Sequence, residues 1–187
     1  GAVRRRDTGE SYIWYELLQG VGHSVTGQAE FQDTSLAPVT AYVAQVAEVS
    51  VDPDTGQVKL LSLSTAHDVG KIVNPIGHQG QINGGAMQGI GYALMEELAV
   101  EDGRVTTLTF GDYKIPTIAD IPELRTVLVE SENGVGPYNV KSIGENATIP
   151  VAAAIANAVE DAVGVRIKDL PITAEKVYRA LQEKPYL

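Results

Sequence analysis

The sequence predicts an α+β fold in which hairpin strands are interleaved with a glycine-rich helix and a buried alanine-rich helix. Three stretches carry that prediction. Two β-branched runs flank Asp52-Pro53-Asp54-Thr55-Gly56, an apolar period of four starts at Ile82, and Val151 to Val163 is apolar at nearly every position.

Residues 1–40 show no sustained period. Gly20, Gly22, Gly27 and Pro38 punctuate them, and they read as a loop-rich segment with a short strand near Tyr12 to Leu17. The periodic elements lie in 41–187, so the chain divides into an N-terminal segment, 1–40, and a C-terminal unit, 41–187. β-branched residues become frequent from Ala41 to Val51; Pro53 then presets φ for a turn, Gly56 can take the positive φ that closes it, and Val58 to Thr65 forms the returning strand. His67 to Asn83 reads as loop. Ile82, Ala86, Ile90, Leu94 and Leu98 fall on one stripe of a helix ending near Val100. Gly84, Gly85, Gly89 and Gly91 lie in or beside it, each costing up to ~1 kcal/mol relative to Ala, which points to close backbone approach. After a turn at Glu101-Asp102-Gly103-Arg104, Val105 to Phe110 and Leu124 to Glu130 read as a second strand pair around a loop with Pro116 and Pro122. A second glycine-rich loop, Asn133 to Glu145, leads to Thr148 as N-cap of a helix from Ile149 to Val163, stopped by Gly164. Thr173 caps a last amphipathic helix with Val177 and Leu181, closed by Pro185.

Composition narrows the function. The 187 residues carry 14 Lys and Arg against 24 Asp and Glu, a formal charge of −10 that repels nucleic-acid phosphates and acidic headgroups. No apolar run approaches the ~18 residues of a membrane span. With no Cys, the chain has no disulfide, no thiolate-held metal and no thiol nucleophile. It opens on Gly1-Ala2-Val3, and Arg4-Arg5-Arg6 lacks the apolar core of a signal peptide, so it reads as a processed piece or expression product of a longer, cytoplasmic polypeptide.

Several motifs fail on context. His23, His67 and His78 share no ligand spacing and read as ordinary loop histidines. Gly89-Ile90-Gly91 lies inside a helical period rather than between a strand and a helix, against a dinucleotide fingerprint. Ser24 and Ser35 sit in no nucleophile elbow. Two loops remain. In Asp68 to Pro75 followed by Gly80-Gln81-Ile82-Asn83-Gly84-Gly85, glycines beside a carboxamide offer backbone N–H groups and a two-way hydrogen-bonding side chain to a polar ligand. In Gly136 to Glu145, a carboxylate just before a helix reads either as a positioned, ionised base or as a helix cap.

From about Ala41 to Leu181 the order of motifs resembles the C-terminal part of the molybdopterin-binding large subunit of the xanthine dehydrogenase/aldehyde oxidase family, the molybdenum hydroxylases. The run is V-D-P-D-T-G-Q-V, H-D-V-G-K-I-V-N-P and G-Q-I-N-G-G-A-M-Q-G-I-G-Y-A-L-M-E-E, then D-Y-K-I-P-T-I-A-D-I-P, K-S-I-G-E and A-A-I-A-N-A-V-E-D-A-V-G-V-R. The resemblance implies one half of a molybdenum-cofactor-binding domain. It puts Glu145 on the family's catalytic base, Gln81 with Gly80 beside the metal end of the cofactor, and Lys141, Ser142, Ile143 and Gly144 on the cofactor loop. It implies no metal ligand in this chain, since a pterin dithiolene holds the molybdenum, in a cofactor that bacterial relatives carry in its cytosine dinucleotide form. Iron–sulfur clusters and FAD are expected on other domains or subunits, and the remainder of the large subunit is an expected partner. The implied reaction oxidises a C–H bond of a purine, N-heterocycle or aldehyde with oxygen from water, and this chain alone would be inactive. The rival reading is a non-catalytic structural or subunit-contact fragment that has lost cofactor binding. Asn83, Ser142 and Asn139 depart from the family's usual residues.

Overall fold

The computed structural model describes residues 1–22, 26–32 and 39–183. Two units, Gly1–Thr34 and Ser35–Leu187, are each internally connected. In the first, β1 (Ala2–Arg4) pairs antiparallel with β2 (Ser11–Ile13), which runs directly into α1 (Trp14–Val21). The strand expected from Tyr12 to Leu17 is therefore mostly helix. Four apolar or aromatic side chains in the first turns, Trp14, Tyr15, Leu17 and Leu18, support a helical stripe as readily as strand alternation. His23, Ser24, Ser35, Pro38 and Pro185 lie outside the described residues.

The second unit grows from the hairpin. β3 (Val43–Val51) and β4 (Val58–Gly70) pair antiparallel. Between them the Asp52 carbonyl accepts from the Gly56 N–H at 2.7 Å, with Gly56 at φ 75°. A bulge between Glu48 and Val49 shifts the register. That shift lets Leu60 and Leu63, three apart, both reach the core. β4 continues beyond Thr65, so His67 to Gly70 are strand, not loop, and β4 also pairs parallel with β7 (Glu123–Glu130). The sheet order is β3-β4-β7. Leu124 to Glu130 is thus a strand as expected, but its partner is not Val105 to Phe110. Only Arg104–Val105 is strand there, as β6 paired with β5 (Val100–Glu101), while Leu108 and Phe110 stay exposed and supply no buried face for a longer strand.

Helix α2 (Pro75–Leu94) is the parallel crossover. It starts earlier than its apolar period because Asn74 caps it, the side-chain oxygen accepting from the Gly77 N–H at 2.9 Å, with Pro75 in the first turn. It stops at Leu94 rather than near Val100, where the Gly91 carbonyl accepts the N–H groups of both Met95 and Glu96. α3 (Val151–Val163) ends on Gly164 at φ 70°, as expected. Thr148 does not cap it; its hydroxyl donates to the Gly85 carbonyl at 3.0 Å. Nor is α3 buried all round: Val151, Ile155, Ala156 and Val159 are buried, whereas Ala153 and Ala162 are exposed. Alanine's small side chain makes a helix look uniformly apolar in sequence without requiring burial. The Thr173 hydroxyl accepts from the Lys176 N–H at the start of α4 (Ala174–Glu183), which buries Val177.

Leu60 and Leu63 of β4, Ala86, Ile90 and Ala93 of α2, and Val151, Ile155 and Val159 of α3 form one core. The helices meet at glycine. A Cβ on Gly89 would lie 2.6 Å from Val151 side-chain atoms and 3.0 Å from the Thr148 carbonyl, and one on Gly85 would lie 3.0 Å from the Ala147 methyl. At Gly84, by contrast, a Cβ would meet nothing within 4 Å.

Gly89→Ala should lower unfolding stability by about 1–3 kcal/mol through overpacking, despite alanine's better helix propensity. Gly84→Ala should leave it unchanged or raise it by up to ~1 kcal/mol. Urea unfolding of the two variants, followed by far-ultraviolet circular dichroism, checks the opposite signs.

Candidate functional site

The ends of β4 and β7 and the first half of α2 surround the loop 131–148. At one edge, the Lys141 ammonium sits 2.5 Å from Asp68 Oδ2 and donates to the Thr40 carbonyl at 2.9 Å. Both side chains are nearly excluded from solvent, at 2% and 12% exposure, which marks this pair off from the other ion pairs, all much more exposed. Asp68 Oδ1 accepts from the Ser131 hydroxyl at 2.7 Å and the Gly70 N–H at 3.2 Å. Burial raises the Asp68 pKa, but the bonds from Lys141, Ser131 and Gly70 and the charge of Lys141 outweigh it, and the carboxyl lies below its usual range. The backbone completes the clamp: the Val69 carbonyl accepts from the Lys141 N–H at 3.0 Å, and the Asn139 carbonyl accepts from the Lys71 N–H at 3.2 Å. Gly70, at φ 67°, must be glycine, since a Cβ would fall 1.9 Å from the Asn139 oxygen. Asn139 itself takes φ 64°. Asparagine tolerates that left-handed region better than most residues, so Asn139 is sterically sound here.

Farther along, the chain turns back on itself, with the Glu145 carbonyl accepting from the Thr148 N–H at 3.0 Å. Three bonds from distant elements hold this turn. Gln81 Nε2 of α2 donates to the Gly144 carbonyl at 2.6 Å, Gln45 Nε2 of β3 donates to the Ala147 carbonyl at 2.8 Å, and Thr148 Oγ1 donates to the Gly85 carbonyl. Ala147 is buried beneath them. Glu145 is exposed, and among the described residues none hydrogen-bonds its carboxylate. α3 opens only at Val151, so the carboxylate is not its cap.

The structure brings Gln81, Gly144 and Glu145 together. Gly80 and Gly144 present bare backbone, with nothing within 4 Å of where a Cβ would stand, and Ser142 is exposed beside them while Ile143 is partly covered. Lys141 is separated from this group by function: its ammonium is spent on Asp68 and Thr40. Asn83, the departure that lies in the glycine-rich segment of α2, accepts from the Thr126 hydroxyl at 3.0 Å and ties α2 to β7.

His67 and His78 are not loop histidines. His67 is buried in β4, its Nε2 2.6 Å from Thr65 Oγ1 and its Nδ1 without a partner among the described residues; burial lowers its pKa. His78 Nδ1 lies 2.7 Å from the Asn74 carbonyl in the first turns of α2. Among the described residues, no group of three His, Asp or Glu could hold a metal ion. Gln45 and Ser131 escaped the sequence reading; a lone Gln among the otherwise apolar inward positions of β3 was the available signal for the first.

Residues 4–122 match the molybdopterin cofactor-binding domain family. The chain is 40% identical over 188 residues to a probable xanthine dehydrogenase subunit of Bacillus subtilis, covering 97% of this chain and 25% of that protein. Among solved structures, quinoline 2-oxidoreductase from Pseudomonas putida 86 superposes with a TM-score of 0.70 at 38% identity, over 73% of this chain and 18% of that one. Aldehyde oxidoreductase from Desulfovibrio gigas gives 0.69 at 37% identity, over 76% and 15%. The chain therefore spans about a quarter of the length of the Bacillus relative it matches.

Asp68→Asn, which removes the counter-charge of buried Lys141, should cost about 3–5 kcal/mol of stability. Because the folded Asp68 pKa is depressed, its contribution is complete above the ordinary value of 3.8 and is lost as pH falls below that through the folded value. Denaturant titrations at about pH 6 and about pH 3 should therefore show the gap between parent and variant narrowing in acid.

Proposed function

Because the chain belongs to the molybdopterin cofactor-binding domain family, and with it to the molybdenum hydroxylases of xanthine dehydrogenase and aldehyde oxidoreductase type, we propose that it supplies the general base and one wall of the cofactor site for C–H oxidation. The observation that carries this reading is the bond from Gln81 Nε2 to the Gly144 carbonyl, which sets a carboxamide from α2 beside the Glu145 turn.

The residues present fit the cofactor. Gly80, Gly84 and Gly144 leave open space over their backbone, so a flat polar molecule can approach within hydrogen-bonding distance. The Gln81 amide spends one N–H on Gly144 and keeps its oxygen. Carboxamide, hydroxyl and peptide groups can hydrogen-bond an organic cofactor, and none of them is the soft thiolate or the imidazole that transition metals favour as a ligand. Gly80, Gln81, Ser142, Ile143 and Gly144 would hold it, Lys141 contributing through its backbone while its ammonium fixes the loop. When bound, the molybdenum–molybdopterin cofactor supplies a two-electron acceptor and a site where water is activated.

Glu145 then moves one proton. Its carboxylate is exposed and hydrogen-bonded by no described residue, so an oxygen lone pair is available to accept a proton from water-derived oxygen as that oxygen attacks an electron-poor C–H carbon, the hydride of the broken C–H bond going to the two-electron acceptor that the cofactor would supply. A capped or ion-paired carboxylate would be a weaker base. The Gln81 bond to the peptide preceding Glu145 limits where that carboxylate can stand. The substrate is a purine, another N-heterocycle or an aldehyde.

The outer face of the β3-β4-β7 sheet supports a larger assembly. Tyr42, Val46, Val127 and Val129 are between 45% and 70% exposed there. In the working enzyme the remainder of the molybdenum-binding subunit and the iron–sulfur and flavin partners accompany this chain, which alone is inactive. No described helix is long and apolar enough to cross a membrane.

In the assembled enzyme, Glu145→Ala should lower kcat by about 10²–10⁴-fold while molybdenum and pterin content stay at the parent level. Steady-state kinetics with metal analysis decide it. Normal turnover in the variant removes the base assignment, and a parent protein without molybdenum would leave a purely structural role.

A further inference from the structure

We infer that Gln45 is a positioning residue for Glu145, acting through the carbonyl of Ala147; this rests on Glu145 being the base. The inward-facing positions of β3 are Val43, Gln45, Ala47, Val49 and Val51, and Gln45 alone among them is polar. Ala47, Val49 and Val51 pack against the core, and an apolar side chain at 45 would extend that pattern. Instead, Gln45 Nε2 reaches the Ala147 carbonyl, 102 residues away in sequence, at 2.8 Å. Its Oε1 is buried with no partner among the described residues.

The orientation of the amide is forced. Turned over, its oxygen would face the Ala147 oxygen, two acceptors in repulsion, so Nε2 must point to Ala147 and Oε1 must be the unpaired atom. A buried orphan oxygen is unfavourable for folding. What the residue gains in return is local: a grip on the peptide two positions after Glu145.

That grip matters because the Glu145 side chain has no partner of its own among the described residues, so the backbone alone sets its position. The Gly144 carbonyl is held by Gln81 and the Ala147 carbonyl by Gln45, one carboxamide on each side of the carboxylate. Without Gln45 the turn keeps the Gln81 bond at Gly144 and the Thr148 bond to Gly85, and the Ala147 peptide between them is no longer fixed in orientation. Ala147 lies against Gly85, so loss of its hydrogen bond frees rotation of the peptide more than translation of the chain.

Gln45→Met keeps the length of the side chain, removes the donor and removes the orphan oxygen. In the assembled enzyme, kcat should fall about 10–100-fold with KM and molybdenum content within about twofold of the parent. The thermal midpoint should be unchanged or higher. In metal-free protein, amide hydrogen exchange of peptides covering 144–148 should accelerate about tenfold or more, while peptides from β4 and α3 keep parental rates. Tyr113→Phe, which removes a bond to Glu96 distant in sequence from the turn, is the control and should alter neither kcat nor that exchange. A Gln45→Met enzyme with parental kcat, beside an impaired Glu145→Ala enzyme, overturns the positioning role and leaves the base assignment standing. Parental exchange across 144–148 overturns it too, whatever the activity. A fully active Glu145→Ala enzyme instead overturns the base assignment, and the positioning role with it.

Discussion

The closeness of α2 to the 145–151 segment governs the rest of the second unit. It is set by two missing side chains, at Gly85 and Gly89, whose places are taken by the Ala147 methyl and the Val151 side chain. Helices packed through ordinary side chains stand 8–10 Å apart; backbone-level contact brings the chain nearer and lets Thr148 reach a helix carbonyl directly. From that contact follow the position of Ala147 under Gln45, the start of α3 at Val151, and the nearness of Gln81 to Gly144. The helix accepts glycine's propensity cost because the alternative separates α2 from the turn that the site is built on.

Electrostatics does the complementary task at the other end of the loop. Lys141 and Asp68 are buried together, and each has a further hydrogen-bond partner, the Thr40 carbonyl for Lys141 and the Ser131 hydroxyl for Asp68. A pair of this kind is a poor source of net stability but a strong specifier of register, since no neighbouring residue can substitute for either partner without stranding a charge. The loop is therefore held by geometry at 144–148 and by charge at 141, with Ser142 and Ile143 suspended between.

Much of this was legible in the sequence where the signal is local. The 52–56 turn, the Gly164 stop and the Thr173 start each rest on a few adjacent residues whose chemistry allows little else. The motif order carried the family and the cofactor. Nonlocal choices were hidden. β7 has the same alternation whether it pairs parallel or antiparallel, and only the length of the crossover helix decides. α2 begins at Pro75 although 75–81 buries just His78, so its hydrophobic period starts about two turns late; Asn74-Pro75 was the usable sign. Lys141 looks like a ligand for an anionic cofactor until Asp68 is seen beside it, because an ion pair across 73 residues leaves no mark on either sequence neighbourhood. Gln45 reads as one polar residue in a strand until its partner is known.

The parallel pairing of β4 with β7 has a topological consequence. Two parallel neighbours release their chains at the same end of the sheet, so the segment after Gly70 and the segment after Glu130 emerge side by side. In open sheets with helical crossovers that end is where ligands are bound. An antiparallel β7 would have sent 131–148 out at the opposite end, leaving Glu145 a sheet's length from Gln81. Strand direction thus gives the two ends of the sheet different neighbours: the hairpin turn meets α4 at one end, and the paired exits, clamped together by Lys141 and Asp68, carry the segments that place Gln81 and Glu145 at the other.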